Sequence, residues 1–264
     1  MKFLNGLILA IALVAVAASC GRNPPRGGGP AVYVGGTVPQ LGDRKPHVWR
    51  SGHPYGHQVH GIDISRYQGD IDWARVRNSG VSFAFIKATE GGDHSDPSFQ
   101  RYWREAGAAR IPRGAYHYYY FCRSGAEQAA WFIRNVPRER GALPPVLDLE
   151  WTNSRTCPRR PSSVEIKEQA EVFMRLLTQH YGQRPIIYTT VDFYADNQLG
   201  TMNAEFWLRS VADHPSARYP GQRWTFWQYT GTGIVPGISG DVDINAFAGS
   251  SADWARWLQA RLSR

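Results

Sequence analysis

The chain of 264 residues is 42% hydrophobic and 13% aromatic, with ten Trp and thirteen Tyr, so it has ample apolar surface for a core. Once an export segment and a linker are set aside, about 200 residues remain, which favours one barrel-sized domain over two ordinary ones. The formal charge of +8 and the pI near 9.6 suit an anionic polymer. The basic residues are scattered, without the clustered helix, zinc-finger spacing or aromatic signature of nucleic-acid-binding proteins, so nucleic acid is not an expected partner.

The N-terminus has the pattern of an export signal. Lys2 precedes an apolar run over residues 3–17 that is short for a membrane span and suits the core of a signal peptide. Cys20 follows three small residues, as at a bacterial lipoprotein processing site. Ala17 stands where such sites usually have Leu, so cleavage nearby as in an ordinary, non-lipidated signal peptide is the alternative. We predict a signal peptide over residues 1–20, with Cys20 as a candidate lipidation site and membrane anchor. The protein is then expected at the bacterial cell envelope or secreted.

The composition changes after the signal peptide. Residues 21–59 are rich in Pro and Gly, which predicts a flexible linker ahead of a catalytic domain over residues 60–264. Four histidines fall in or beside this linker: His47, His53, His57 and His60. No Cys or carboxylate accompanies them at a recognised ligand spacing, so a loop is favoured over a metal site and no metal is predicted.

Beyond residue 60, strand and helix patterns alternate. Short apolar runs bounded by Gly or Pro predict eight strands, at residues 61–64, 81–88, 114–121, 145–151, 185–189, 206–211, 225–230 and 241–247. Helical patterns follow the first five of these strands, and Ser162 with Glu165 marks the clearest helix start. The prediction is an α/β fold: a single, irregular TIM-like β/α barrel of about five β/α units followed by three strands.

The chain contains three Cys residues. If Cys20 carries a lipid, Cys122 and Cys157 remain as an even pair in an oxidising compartment. They form either a disulfide or two buried free thiols, and the sequence does not choose between the two.

Acidic residues stand on three of the predicted strands. In barrels of parallel strands the active site forms at the strands' carboxyl ends, and Asp63, Asp148, Glu150 and Asp243 are placed there. Asp148 and Glu150 point to one face of a strand, with Cα atoms roughly 6.6 Å apart at about 3.3 Å per residue. Burial and mutual repulsion raise carboxyl pKa values, so one of the pair can remain an acid beside an ionised partner, as glycosidic bond cleavage requires. Alternatively, these carboxylates are structural and are held by Arg or by helix-start N–H groups.

An ordered series of motifs covers nearly everything after His60: Gly61-Ile62-Asp63-Ile64-Ser65, Phe85-Ile86-Lys87-Ala88-Thr89-Glu90-Gly91, Asp96-Pro97, Gly114-Ala115-Tyr116-His117, Leu147-Asp148-Leu149-Glu150, Trp227-Gln228-Tyr229 and Val242-Asp243-Ile244-Asn245. Together they resemble the glycoside hydrolase family 25 lysozymes, the Chalaropsis-type muramidases. The resemblance implies cleavage of the β-1,4 bond between N-acetylmuramic acid and N-acetylglucosamine. It implies peptidoglycan glycan strands as the partner. No cofactor is expected, because the chemistry needs only carboxylates and water, and no protein partner is evident from the sequence. The sixth strand departs from the family pattern and brings Arg209 near the cleft.

The resemblance also implies residue roles. Glu150 corresponds to the general acid. Asp148 corresponds to the residue that orients the substrate's own 2-acetamido group, whose attack on the anomeric carbon gives retention. Asp63 and Asp243 complete the group of acidic residues at the active site.

Several other side chains near strand ends are candidates for the site. Five aromatic residues can pack against sugar rings: Tyr116, Tyr118, Tyr188, Trp151 and Trp227. Tyr118 and Tyr188 are favoured, and barrel packing is the alternative for each. Lys87 and Glu90 are interpreted as a structural pair. His117 is interpreted as a hydrogen-bonded inner histidine, because no Ser or Cys nucleophile stands in a recognisable elbow.

Two other functions remain open: an envelope-anchored glycan-binding module without catalysis, and a chitin-type glycosidase. The presence of all four acidic residues favours catalysis, and the basic charge favours an anionic wall over chitin. An amidase or peptidase would need a zinc site or an activated Ser or Cys, and neither pattern is apparent.

Overall fold

The structure is a computed structural model that describes residues 39–152 and 154–262. The predicted signal peptide over residues 1–20, Cys20 and the first part of the predicted linker lie outside the described residues. Within the described residues, no helix has both the length and the apolar character needed to cross a membrane.

The helices and strands follow one another in alternation along most of the chain. The strands are β1 (Gly42–Asp43), β2 (His60–Ile64), β3 (Val81–Glu90), β4 (His94–Ser95), β5 (Arg113–Tyr118), β6 (Val146–Leu149), β7 (Ile186–Thr189), β8 (Phe206–Arg209), β9 (Phe226–Ile234) and β10 (Val242–Phe247). The helices are α1 (Trp73–Asn78), α2 (Phe99–Ala108), α3 (Gly125–Asn135), α4 (Ser163–Tyr181), α5 (Val191–Asn197), α6 (Pro215–Arg218) and α7 (Ser251–Leu262). Each of the eight predicted strands overlaps one of these, whereas the short elements β1, β4 and α6 were not predicted.

Eight of the strands close into a barrel in the order β9-β10-β2-β3-β5-β6-β7-β8, with β8 pairing back onto β9. The pairs from β2 through β3, β5, β6, β7 and β8 to β9 are parallel. Strand β10 is antiparallel to both of its neighbours, β9 and β2. The result is a closed eight-stranded barrel within a mixed α/β fold, in which one of the three last predicted strands runs antiparallel to its neighbours.

The barrel has an inner and an outer apolar layer because side chains alternate along each strand. Phe83, Phe85 and Trp207 belong to the buried cluster inside the barrel. Residues next to them in sequence, such as Ala84 and Leu208, belong to the cluster between the strands and the surrounding helices. Both faces of the sheet are therefore buried, which explains why the strands read as nearly continuous apolar runs.

Helix α4 illustrates how local sequence sets an element and its packing. The Ser162 side chain accepts a hydrogen bond from the backbone N–H of Glu165, which caps the first turn. Gly182 ends the helix with φ of 73°, a left-handed conformation that favours glycine. The apolar face between these ends packs on the barrel through five buried residues: Ile166, Ala170, Phe173, Met174 and Leu177.

Parts of residues 39–59, which fall in the predicted linker, contact the barrel. Strand β1 pairs with the end of β9, and the Arg44 guanidinium lies 2.7 Å from the Asp241 carboxylate. Val59 is fully buried, and its carbonyl accepts a hydrogen bond of 2.9 Å from the N–H of Phe247. Polar and Pro-rich composition hid these contacts, because a few buried side chains and backbone pairs suffice to order a short segment.

The two cysteines outside the predicted signal peptide are joined. Cys122 and Cys157 form a disulfide with Cα atoms 5.6 Å apart. The bond links the segment after β5 to the segment between β6 and α4. It therefore braces two connections that leave the same end of the barrel.

Candidate active site

The central pair of carboxylates stands at the carboxyl end of β6. Asp148 is the third residue of β6, and Glu150 is the first residue after the strand ends. The alternation that turns Leu147 and Leu149 toward the outer core turns both carboxylates toward the mouth of the barrel, where they line one open cleft. Asp148 is 6% exposed and Glu150 is partly buried.

Asp148 is a carboxylate with unused hydrogen-bonding capacity. Its Oδ1 atom is buried and has no hydrogen-bond partner within the described part of the chain. Burial, followed by the negative charge of Glu150, raises the pKa of Asp148 well above its usual range, and the positive charge of Lys87 opposes the rise. An unpaired buried polar atom is costly, so this oxygen is ready to accept a donor from a bound molecule.

Glu150 stands closer to solvent at the mouth. Burial raises its pKa, while the positive charge of Arg209 and a hydrogen bond with Tyr118 oppose the rise. Since the pKa values of Asp148 and Glu150 are both raised and the groups interact, the pair retains a proton at pH values where isolated carboxyls are ionised. Such a pair can supply an acid and a negative charge to the same bond.

Asp63 and Asp243 face each other across the β2–β10 pairing. Asp63 Oδ2 accepts hydrogen bonds from Gln228 Nε2 at 2.9 Å and from Asn245 Nδ2 at 2.8 Å. Burial raises the pKa of Asp63 to about 6 despite these two donors. Burial and the nearby Asp63 raise the pKa of Asp243 to about 8. The structure therefore brings all four predicted acidic residues into one cleft.

Asp243 reaches this cleft by an unexpected route. It lies at the start of β10, not at the carboxyl end of a strand as predicted. Because β10 runs antiparallel to β2, with Asp243 opposite Asp63, its amino end lies at the same mouth as the carboxyl ends of the parallel strands. No group of three or more His, Cys, Asp or Glu side chains in residues 39–152 and 154–262 is arranged to hold a metal ion.

Four of the five predicted aromatic residues lie in or beside the cleft. Tyr116, Tyr118 and Tyr188 line it. The Tyr188 hydroxyl donates a hydrogen bond to Gln228 Oε1 at 2.9 Å, and Lys87 Nζ lies 4.7 Å from the centre of the Tyr118 ring. Trp151 lines an adjoining groove that shares Glu150 with the cleft.

Trp227 is the exception and corrects the prediction that its ring faces a sugar. Its side chain is fully buried in the outer core, and its Nε1 donates a hydrogen bond to the Ser210 carbonyl at 2.8 Å. The next residue, Gln228, is the one that lines the cleft, as strand alternation requires. Trp207, not singled out from the sequence, also lines it, and its Nε1 donates to Asn245 Oδ1 at 2.7 Å.

The structural interpretations of Lys87, Glu90 and His117 agree with the contacts. Lys87 Nζ lies 2.7 Å from Glu90 Oε2. His117 is buried, with Nδ1 2.7 Å from Thr89 Oγ1 and Nε2 3.0 Å from Gln128 Oε1. Burial lowers the pKa of His117 to about 4, so the ring is neutral near pH 7 and held on both sides.

Comparison with known proteins agrees with this arrangement. The family model described as glycosyl hydrolases family 25 matches residues 62–238. Lysozyme M1 of Streptomyces globisporus is 36% identical over 273 residues, covering 94% of this chain and 90% of that protein. The protein YegX of Escherichia coli K12, which is uncharacterized, is 38% identical over 205 residues, covering 75% of this chain and 72% of that protein.

A solved structure agrees as well. A family 25 glycosyl hydrolase from Bacillus anthracis aligns with a TM-score of 0.74 and 34% identity, covering 81% of this chain and 98% of that one. The region matched by the family model, residues 62–238, includes Asp63, Asp148 and Glu150. The chain therefore belongs to glycosyl hydrolase family 25.

Proposed function

We propose that this protein is an N-acetylmuramidase, a lysozyme that cleaves the β-1,4 bond between N-acetylmuramic acid and N-acetylglucosamine in peptidoglycan. The observation that carries the proposal is the Asp148–Glu150 pair, which stands at the barrel mouth with raised pKa values and one unpartnered carboxylate oxygen. Relatives named as lysozymes and N,O-diacetylmuramidases support the same reaction.

Glu150 is the proposed general acid. It is the more exposed of the pair and lies where the cleft meets the adjoining groove, so a glycosidic oxygen can reach it. Its raised pKa keeps a proton available for the leaving oxygen. When the bond from the anomeric carbon to that oxygen breaks, the proton moves to the oxygen and Glu150 becomes a carboxylate.

Asp148 is the proposed partner of the substrate's 2-acetamido group. Its free Oδ1 would accept the acetamido N–H while the acetamido carbonyl oxygen bonds to the anomeric carbon, and negative charge in the cleft would stabilise the cationic sugar. Water would then attack the same carbon as the bond from that carbon to the acetamido oxygen breaks, and would give a proton to Glu150, which restores the acid and the acetamido group. Two displacements at one carbon give net retention of configuration.

The products test this proposal against its rivals. Purified peptidoglycan digested by the protein should release fragments with reducing N-acetylmuramic acid ends, identified by mass spectrometry after borohydride reduction. Proton NMR during the first turnovers should show the β-anomer, as retention requires. Binding without fragments would indicate a glycan-binding module, and faster cleavage of chitin oligomers than of peptidoglycan would indicate a chitin-type glycosidase.

We propose in addition that residues 1–20 direct export and that Cys20 anchors the protein to a membrane. The sequence pattern around Cys20 supports this. In cells, the wild-type protein should fractionate with membranes, and the Cys20→Ser variant should not. Equal membrane association of both forms would exclude a lipid at Cys20.

A further inference from the structure

Arg209 occupies a position between two recesses at the barrel mouth. It is the last residue of β8, and alternation turns it inward like Trp207, while Leu208 between them faces the outer core. Its side chain lines the catalytic cleft and also the adjoining groove, which contains Trp151 and Arg218. A molecule bound across Glu150 toward that groove would therefore pass Arg209.

Within the described residues, the Arg209 guanidinium has no direct hydrogen-bond or ion-pair partner. Over residues 39–152 and 154–262, no carboxylate lies within 4 Å of it and no hydrogen bond engages its nitrogen atoms. The other cation of the cleft, Lys87, is paired with Glu90 at 2.7 Å. A partly buried guanidinium normally forms a bidentate hydrogen bond with a carboxylate. Because Arg209 does not, its five N–H donors remain available to a ligand.

Arg218 adds a second cation to the groove. It is exposed, it lies on α6, and within the described residues it has no ion-pair partner. The carboxylate of Asp192, the other acid of this groove, is already engaged by the Thr190 hydroxyl at 2.6 Å. The groove beyond Glu150 therefore presents two cations that no carboxylate of residues 39–152 and 154–262 engages directly.

We propose that Arg209, assisted by Arg218, binds a carboxylate carried by the substituent of a muramic acid residue. This inference rests on the muramidase function proposed above and makes Arg209 a specificity-determining residue. The carboxylate belongs either to the stem peptide or, on glycan without stems, to the lactyl group. Chitin carries neither carboxylate, so the contact would favour wall glycan over a neutral polymer.

A rival role for Arg209 is charge balance alone. Its positive charge opposes the rise in the pKa of Glu150 and of Asp243. A residue that only balances the acids would affect every substrate equally and would shift the pH profile. A residue that binds a carboxylate would affect charged substrates more than neutral ones, so the two roles can be separated by experiment.

The test uses one peptidoglycan preparation in three forms: intact, with its carboxylates converted to neutral methylamides, and with its stems removed by an amidase so that the lactyl carboxylate is free. For Arg209→Met, the loss in kcat/KM on a carboxylate-bearing form should exceed the loss on the amidated form by about tenfold to a hundredfold, the effect expected for a charge-assisted hydrogen bond. Arg218→Met should show the same selectivity to a smaller extent. Arg104→Met is the control: it removes the same charge from an exposed position on α2 and should show no selectivity.

The outcomes identify the source of the carboxylate. Selectivity on the intact form assigns a stem-peptide carboxylate, and selectivity confined to the stem-free form assigns the lactyl carboxylate. Equal losses on all three forms, with the basic limb of the pH profile moved upward, would overturn the proposal in favour of charge balance. If wild-type protein releases no muramic acid ends from any form, the muramidase function itself is refuted, which is a separate result.

Discussion

Asp243 shows how a single residue links the active site to the stability of the fold. Its pKa rises from 3.8 to about 8 through burial and the charge of Asp63. The folded protein therefore holds this proton more tightly than the unfolded chain does. As a result, the group costs folding free energy progressively as the pH rises from near 4 to near 8. The pKa of Asp63 rises less, to about 6, and its effect on stability has the same sign.

Asp243→Asn removes this cost. Relative to wild type, the variant should gain free energy of unfolding as the pH rises, on the order of 4 kcal/mol between about pH 5 and about pH 9. Urea unfolding at several pH values measures the difference. Asp93→Asn, an exposed carboxylate paired with Arg123, is the control and should show little pH dependence. A gain that is the same at all pH values would contradict the assigned cause.

The residue scale also shows what the sequence could and could not predict. All four acidic positions and three tyrosines came from motifs and strand ends, and all lie in the cleft. Trp227 was misplaced because the motif names three neighbouring residues, whereas strand alternation allows only Gln228 to face inward. If the pairing of β9 with β10 were known, side-chain alternation would show that Gln228 faces the same side as Asp243. The register between two strands is a tertiary property, however, and the sequence of one strand does not specify it.

At the scale of elements, close strand packing depends on a glycine. A Cβ added to Gly61 of β2 would lie 2.4 Å from the ring of Phe83, its register partner on β3. Gly61→Ala should therefore lower the free energy of unfolding by about 2 kcal/mol or more through overpacking. Gly56→Ala is the matched control, because a Cβ there meets no atom within 4 Å. Equal urea midpoints for the two variants would contradict this packing.

The disulfide provides a second prediction at this scale. It joins residues 35 apart in sequence, and closing a loop of that length stabilises the folded state by about 4 kcal/mol in the chain-entropy model. A reducing agent should lower the unfolding midpoint of the wild-type protein accordingly. A Cys122→Ser, Cys157→Ser double variant should already be lowered and should not respond to the reducing agent. A wild-type midpoint unchanged by complete reduction would refute the stabilising role.

Strand direction was the least predictable property of the elements. Hydrophobic alternation has the same period whichever way a strand runs, so β10 read as one more barrel strand. The available signal was its short connection: β9 ends at Ile234 and β10 begins at Val242, with no helix between them. A parallel crossover needs a longer segment, usually a helix, so this spacing indicates an antiparallel pair.

For the whole molecule, the described part of the predicted linker belongs to the folded unit. Trp49 packs edge-on against Trp227 with ring centres 5.1 Å apart, and Val59 is fully buried. A chain that begins at residue 60 should be less stable than one that begins at residue 39 by several kcal/mol, at about 1.5–3 kcal/mol for each large apolar side chain lost from the core. Thermal unfolding of the two truncated forms measures the difference, and indistinguishable transitions would support the predicted domain boundary at residue 60.

The most direct test of the central claim compares wild-type protein with Glu150→Gln on purified peptidoglycan. The measured quantity is the initial rate at which reducing N-acetylmuramic acid ends appear, with glycan binding followed in parallel. General acid catalysis predicts a loss of about 10²–10⁴-fold in the variant, with binding retained, because glutamine fills the same space but has no proton to give. A variant within about tenfold of the wild-type rate would contradict the assignment of Glu150 as the acid.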